Sequence, residues 1–151
     1  MKRLIALLVL AAAAGAAACR HGPSAPLTGA PAPRVAVETF LNAVRAQDLQ
    51  AMSVAWGTKD GPARDRISRD QLEKRELIMM CYLKHDRYRL LGESPREEGR
   101  RVIRVELTRG TLTRSTNFVT VQGPSDRWYV ETADLAPLQE LCASGGSAGG
   151  G

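Results

Sequence analysis

The feature that most limits what this chain can fold into is a change of hydrophobic period near residue 86. Upstream, apolar residues recur at intervals of three and four; downstream, they alternate one by one. Helices first and consecutive strands afterwards point to an α+β architecture, with the helices laid on an antiparallel sheet rather than interleaved with parallel strands. The remaining features refine that outline or mark segments that lie outside it.

Pro33 suits a first helical position, and Val37, Phe40, Leu41 and Val44 follow at i, i+3, i+4 and i+7, one apolar stripe facing a core. Asp48 is a natural cap for a short second helix carrying Leu49, Met52, Val54 and Trp56. Gly57 supplies a left-handed residue to end it, and 57–67 reads as a polar loop. Ser68 with Gln71 has capping-box spacing and opens a third helix through Leu72, Leu77, Ile78, Met79, Met80 and Leu83, ending near His85.

In the second half, Ile103, Val105 and Leu107 alternate with Arg104, Glu106 and Thr108, giving a buried and a wet face. The strand over 111–122 changes the parity of its apolar positions around Phe118, Val119 and Val121, which predicts a bulge or bend. Gly123-Pro124-Ser125-Asp126 is a turn, after which Trp128 and Val130 share one face and Arg127, Tyr129 and Glu131 the other. Turns at 93–99 and Gly110 make the sheet an antiparallel meander. A short helix begins around Asp134.

The ends have a different character. Lys2 and Arg3, an apolar run from Leu4 to Ala14, and small residues up to Ala18 form an export signal over 1–18, too short for the roughly 20 apolar residues of a spanning helix. Ala16-Ala17-Ala18-Cys19 resembles the lipobox of bacterial lipoproteins, with Ala16 where Leu is usual. The resemblance implies cleavage before Cys19 and lipid on its sulfur. Residues 19–32 are a Pro/Gly/Ala-rich linker and 144–151 a Gly/Ser tail, neither with apolar periodicity. The foldable unit is therefore 33–143. Arg20 lacks the Asp that signals inner-membrane retention in well-studied lipoproteins, so the expected address is the bacterial envelope, outer membrane favoured over inner.

Cysteine arithmetic fits that address. The chain has three cysteines, and lipid on Cys19 leaves Cys81 and Cys142 as an even pair in a compartment where disulfides persist. A bond between them would close a loop of about 60 residues, worth on the order of 4 kcal/mol in the chain-entropy model. The alternative is two buried thiols.

The stretch Val35-Ala36-Val37-Glu38-Thr39-Phe40-Leu41-Asn42-Ala43-Val44-Arg45-Ala46-Gln47-Asp48-Leu49, with Trp128-Tyr129-Val130 in the last hairpin, resembles the nuclear transport factor 2-like superfamily. Gln47 stands where that family's helix corner usually has Gly. The resemblance spans most of 33–133 and implies a cone in which a curved sheet wraps the long helix. It is nearest to small bacterial lipoproteins of unknown role. Related domains often pair through their sheets, which implies a homodimer of that kind. Isomerases and cyclases of the superfamily work in the mouth of the cone, and His85, Asp86 and Tyr88 are the local acid–base cluster that such a pocket would use here.

No nucleotide-binding, nucleophile-elbow or metal-ligand spacing accompanies the two histidines, His21 and His85, so no cofactor or metal is expected. His85 reads otherwise as a helix C-terminal residue favoured by the dipole. Arg87, Arg89, Arg100, Arg101, Arg104, Arg109, Arg114 and Arg127 gather on the strands and could give one face a positive field, although Glu93, Glu97, Glu98 and Glu106 lie among them. Loss of Lys2 and Arg3 takes the formal charge from +5 to +3, and nothing indicates nucleic acid. The expected function is a non-enzymatic, lipid-anchored domain that binds an envelope protein or small ligand. The competing one is a pocket enzyme.

Overall fold

The computed structural model describes residues 27–143, so Cys19, the leader and the tail from 144 lie outside the described residues. Helices α1 (Pro33–Ala46) and α2 (Leu49–Ala55) lead to a small hairpin, β1 (Gly57–Thr58) with β2 (Gly61–Pro62), and to α3 (Arg69–Leu83). Strands β3 (Arg87–Pro95), β4 (Arg101–Arg109), β5 (Leu112–Gln122) and β6 (Trp128–Ala133) pair antiparallel in that order, and α4 (Gln139–Ala143) closes the chain. The architecture is α+β.

The stripe on α1 seats against this sheet. Val37, Phe40, Leu41 and Val44 are at most 2 % exposed and meet Ile103, Val105, Leu107, Phe118 and Val130 in one core, with Phe40 edge-on to Phe118 at 6.4 Å. Filling the interior this way leaves it to side chains. α1 ends at Gln47, whose φ of 56° is the left-handed conformation that glycine adopts most easily. The Asp48 carboxylate then accepts from the Ala51 amide at 2.9 Å and starts α2.

Several expectations need correction. Gly57 does not end α2 in a left-handed turn; Trp56 is the C-cap and Gly57 opens β1. What Gly57 supplies is room, because a Cβ there would lie 2.4 Å from the Gly61 carbonyl oxygen and 2.9 Å from the Tyr129 ring. Tyr129, on the face of its strand opposite Val130, is 2 % exposed. Its ring lies within 2.9 Å of where a Cβ on Gly29, Gly57 or Gly123 would be, so three glycines distant in sequence form its slot. Ser68 precedes α3 without making a side-chain cap, whereas the end of the helix at Leu83, with Lys84 as C-cap, agrees with an end near His85. Only Leu72, Glu76 and Leu83 of α3 are buried, whereas Leu77 and Ile78 are 47 % and 55 % exposed. The helix has apolar residues around most of its circumference, and a single-layer contact can cover only one side.

The linker is also shorter than the sequence suggests. Gly29 donates to Val54 O at 3.1 Å, and Ala30 exchanges two 2.8 Å backbone bonds with Trp128. The Thr28 hydroxyl meets the Tyr129 hydroxyl at 2.8 Å, and Arg127 donates to the Thr28 and Gly29 carbonyls. Residues 28–32 thus belong to the folded unit. On β5, Thr116, Phe118, Val119, Thr120 and Val121 are all buried, and the β5–β6 register shifts between Val119 and Thr120. That irregularity accounts for the parity change in the sequence.

Candidate functional site: a cationic cleft where the helices end

The corner joining α3 to β3 brings three segments together. Lys84, His85 and Asp86 leave α3, the C-terminal end of α1 supplies Val44, Arg45 and Gln47, and a cleft of about 400 Å³ opens between them, with Met80 as its apolar wall. A second cleft of about 470 Å³ shares Gln47, Met80 and Lys84 and continues over Leu77, Arg109 and the Cys81–Cys142 pair. Sharing these three residues, the two form one trough of mixed character, with Val44 and Met80 beside the charged groups at the His85 end and Leu77 and the cysteine pair beside Lys84 and Arg109 at the other.

Cys81 and Cys142 are bonded, their Cα atoms 4.8 Å apart across 61 residues. The bond ties α4 against α3, where Leu138 and Leu141 are fully buried. Arg109, the last residue of β4, donates to the Leu141 carbonyl and holds α4 from the sheet side.

Three cations line the trough without a carboxylate partner. Arg45 bonds only to the Asn42 side-chain oxygen at 3.1 Å, Arg109 only to a backbone carbonyl, and Lys84 to none among the described residues. On the sheet the situation is different: Arg89 pairs with Glu106 at 3.1 Å, Arg101 with Glu93 at 2.8 Å, Arg114 with Glu140, and Arg100 with Glu98 and Glu131. The bidentate Glu131 contact, together with Glu98, holds the Arg100 guanidinium above its ordinary range. Arg127 is bound to backbone carbonyls of the N-terminal segment. Pairing therefore reduces the positive face that the strand arginines suggested, although Arg87 and Arg104 stay exposed there without a salt bridge among the described residues; Lys84, Arg45 and Arg109 are the cations at the trough.

The acid–base cluster divides. His85 is 4 % exposed, bonds through Nδ1 to the Leu83 carbonyl oxygen at 2.8 Å, and leaves Nε2 buried without a partner. With Nδ1 donating, Nε2 carries the lone pair of a neutral ring. Burial holds its pKa below the usual imidazole range; the Leu83 carbonyl opposes this shift and Arg45 adds to it. Tyr88 meets the ring edge-on at 5.6 Å. Asp86 turns away: its Oδ2 accepts from the Gly110 amide at 2.6 Å and fixes the β4–β5 turn. The structure brings His85 and Tyr88 together and gives Asp86 a separate task.

A buried carboxylate escaped the sequence reading. Glu76 on α3 is 2 % exposed, its Oε1 has no hydrogen-bond partner, and burial, with a smaller contribution from Glu73, raises its pKa from 4.5 to about 7. It lies between Leu72 and Leu83 on the buried face of its helix and lines neither part of the trough. A single polar residue among apolar ones at helical spacing is its only sequence signal.

Among the described residues no three or more His, Cys, Asp or Glu side chains form a group that could hold a metal, and no helix is long and apolar enough to cross a membrane. Comparison of the chain with known protein families, with curated proteins and with solved structures finds no match.

Proposed function

We propose that the protein is a lipid-anchored envelope domain of the nuclear transport factor 2-like kind, held at the membrane through Cys19, non-enzymatic, and binding its partner or ligand through the cationic trough. The observation that carries this reading is the contrast at the α3–β3 corner. His85 and Asp86 are held by the Leu83 carbonyl and the Gly110 amide, while Lys84, Arg45 and Arg109 near them make no salt bridge among the described residues. Catalysis needs an acid or base that reaches the reacting atom, and His85 Nε2 is shut away from solvent. Binding needs a rigid, electrostatically biased surface, which the disulfide and the helix ends supply.

The experiment is in-cell labelling with an alkyne analogue of palmitate, on the wild type and Cys19→Ser, each with a photo-crosslinking residue at Gln47 or at Ser125. Lipid incorporation lost in Cys19→Ser, and adducts from Gln47 but not from Ser125, are expected. An unlabelled, soluble wild type refutes the anchor; equal crosslinking at both positions refutes the binding site.

A further inference from the structure

We infer that the trough takes a single-chain anionic amphiphile, its acidic head held by Lys84 and Arg45 beside Gln47 and its unbranched alkyl chain lying over Met80, Leu77 and the Cys81–Cys142 bridge. This rests on the reading of the trough as a binding site and names the chemistry it selects.

Charged and apolar groups lie side by side along the trough, as such a ligand requires. One end offers a guanidinium, an ammonium and a side-chain amide, with Asp86 the only carboxylate in its walls. Asp86 makes no ion pair there and is bound to Gly110. The other end shares Lys84, Gln47 and Met80 with the first and adds a leucine, the two sulfurs of the disulfide and Arg109. Leu77 is 47 % exposed, a large apolar side chain left uncovered at the rim of a cleft, where burial against an alkyl chain gains roughly 25 cal/mol per Å².

Two other placements fit less well. The body of the fold is closed to a ligand, because Phe40, Phe118, Ile103 and Leu107 have no exposed surface and fill the space between α1 and the sheet. An extended peptide would want a free strand edge for its backbone. The trough is walled by helix ends and by Arg109 of the interior strand β4, so it offers no such edge. A ligand with one charged group and few other hydrogen-bonding atoms matches these walls. Fatty-acid carboxylates and alkyl phosphate monoesters share that chemistry.

Calorimetric titration of the chain carrying Cys19→Ser, without detergent, tests this with dodecanoate, dodecyl phosphate and dodecyltrimethylammonium, each below its micelle concentration. One or both anions bind and the cation does not, which of the two is preferred assigning the head group. Lys84→Glu weakens binding about tenfold or more, which corresponds to at least one decade of Kd. Leu77→Ser weakens it without changing its salt dependence, and both residues are exposed enough for the variants to fold. Arg104→Glu, the same charge reversal on an exposed strand position outside the trough, leaves binding unchanged. Equal binding of the cationic amphiphile, equal loss in Arg104→Glu, or no binding by either anion overturns the inference. If the anions fail while Gln47 still crosslinks a partner in cells, the ligand class is wrong and the binding site stands.

Discussion

Replacing Glu76 with Gln should remove the loss of stability that this residue causes as pH rises. The folded pKa of Glu76 lies near 7 against 4.5 for the ordinary carboxyl, so the folded state holds its proton more tightly than the unfolded state does. Stability from this group is complete below pH 4.5 and is lost as pH rises through 7. A full shift of that size corresponds to about 3 kcal/mol. α3 lies at the edge of the helical layer with Glu73 and Leu77 exposed, so a small outward movement hydrates the carboxylate and brings the realised penalty nearer about 2 kcal/mol. Gln has the size of the protonated acid and no charge. Urea unfolding followed by the fluorescence of Trp56 and Trp128, at about pH 3.5 and about pH 8, should show near-equal stabilities at the lower pH, below the ordinary carboxyl value of 4.5, and Glu76→Gln ahead by about 2 kcal/mol, or roughly 8 °C in Tm, at the higher. A stability difference that is the same at both pH values would refute the burial argument.

His85 gives the opposite limb. Its folded pKa is depressed by burial, so its contribution is present above the free imidazole range and is lost as pH falls below it; NMR titration of its ring protons should show a midpoint below 6.5, and a midpoint at or above that value would contradict its enclosure. Replacing both Cys81 and Cys142 with Ser should lower stability by about 4 kcal/mol and strip hydrogen-exchange protection from 136–143, whereas protection unchanged by the substitutions would mean that Leu138 and Leu141 hold α4 alone. Gly57→Ala should destabilise by about 2 kcal/mol or more through collision with the Gly61 carbonyl and Tyr129. Gly92→Ala, which meets nothing within 4 Å, should change thermal stability little, and equal effects at the two glycines would undo the account of the Tyr129 slot.

What the sequence disclosed depended on periodicity. The stripe Val37, Phe40, Leu41, Val44 and the alternation Ile103, Val105, Leu107 point in single directions, and both faces are buried as read. α3 was harder, because Leu77, Ile78, Met79 and Met80 surround the helix and no period tells which side meets the core. Tyr129 lies on the face opposite Val130, as alternation predicts, but its burial depends on Gly29, Gly57 and Gly123, whose convergence no local pattern records. The docking of 28–30 escaped for a related reason, being made mostly of backbone bonds. At the site, His85, Asp86 and Tyr88 looked like a cluster because they are neighbours in the chain, yet a helix-to-strand corner turns adjacent side chains apart. The trough that replaces them draws Gln47, Lys84, Arg109 and Cys142 from four separate segments. Only the folded chain assembles it.

The docking of Thr28 and Ala30 shortens the leash that the proposed anchor gives the domain. Nine peptide steps separate Cys19 from Thr28, so whatever path they take they span at most about 32 Å. The leash joins the body beside Trp128, next to the start of α1, and the trough lies at the other end of that helix, about 20 Å away for its 14 residues. Were Cys19 held in a bilayer as proposed, the body would be confined to a thin shell above the lipid. The fold sets the trough at the end of α1 far from the proposed mooring, so an anchored domain would hold it near the surface at a high local concentration.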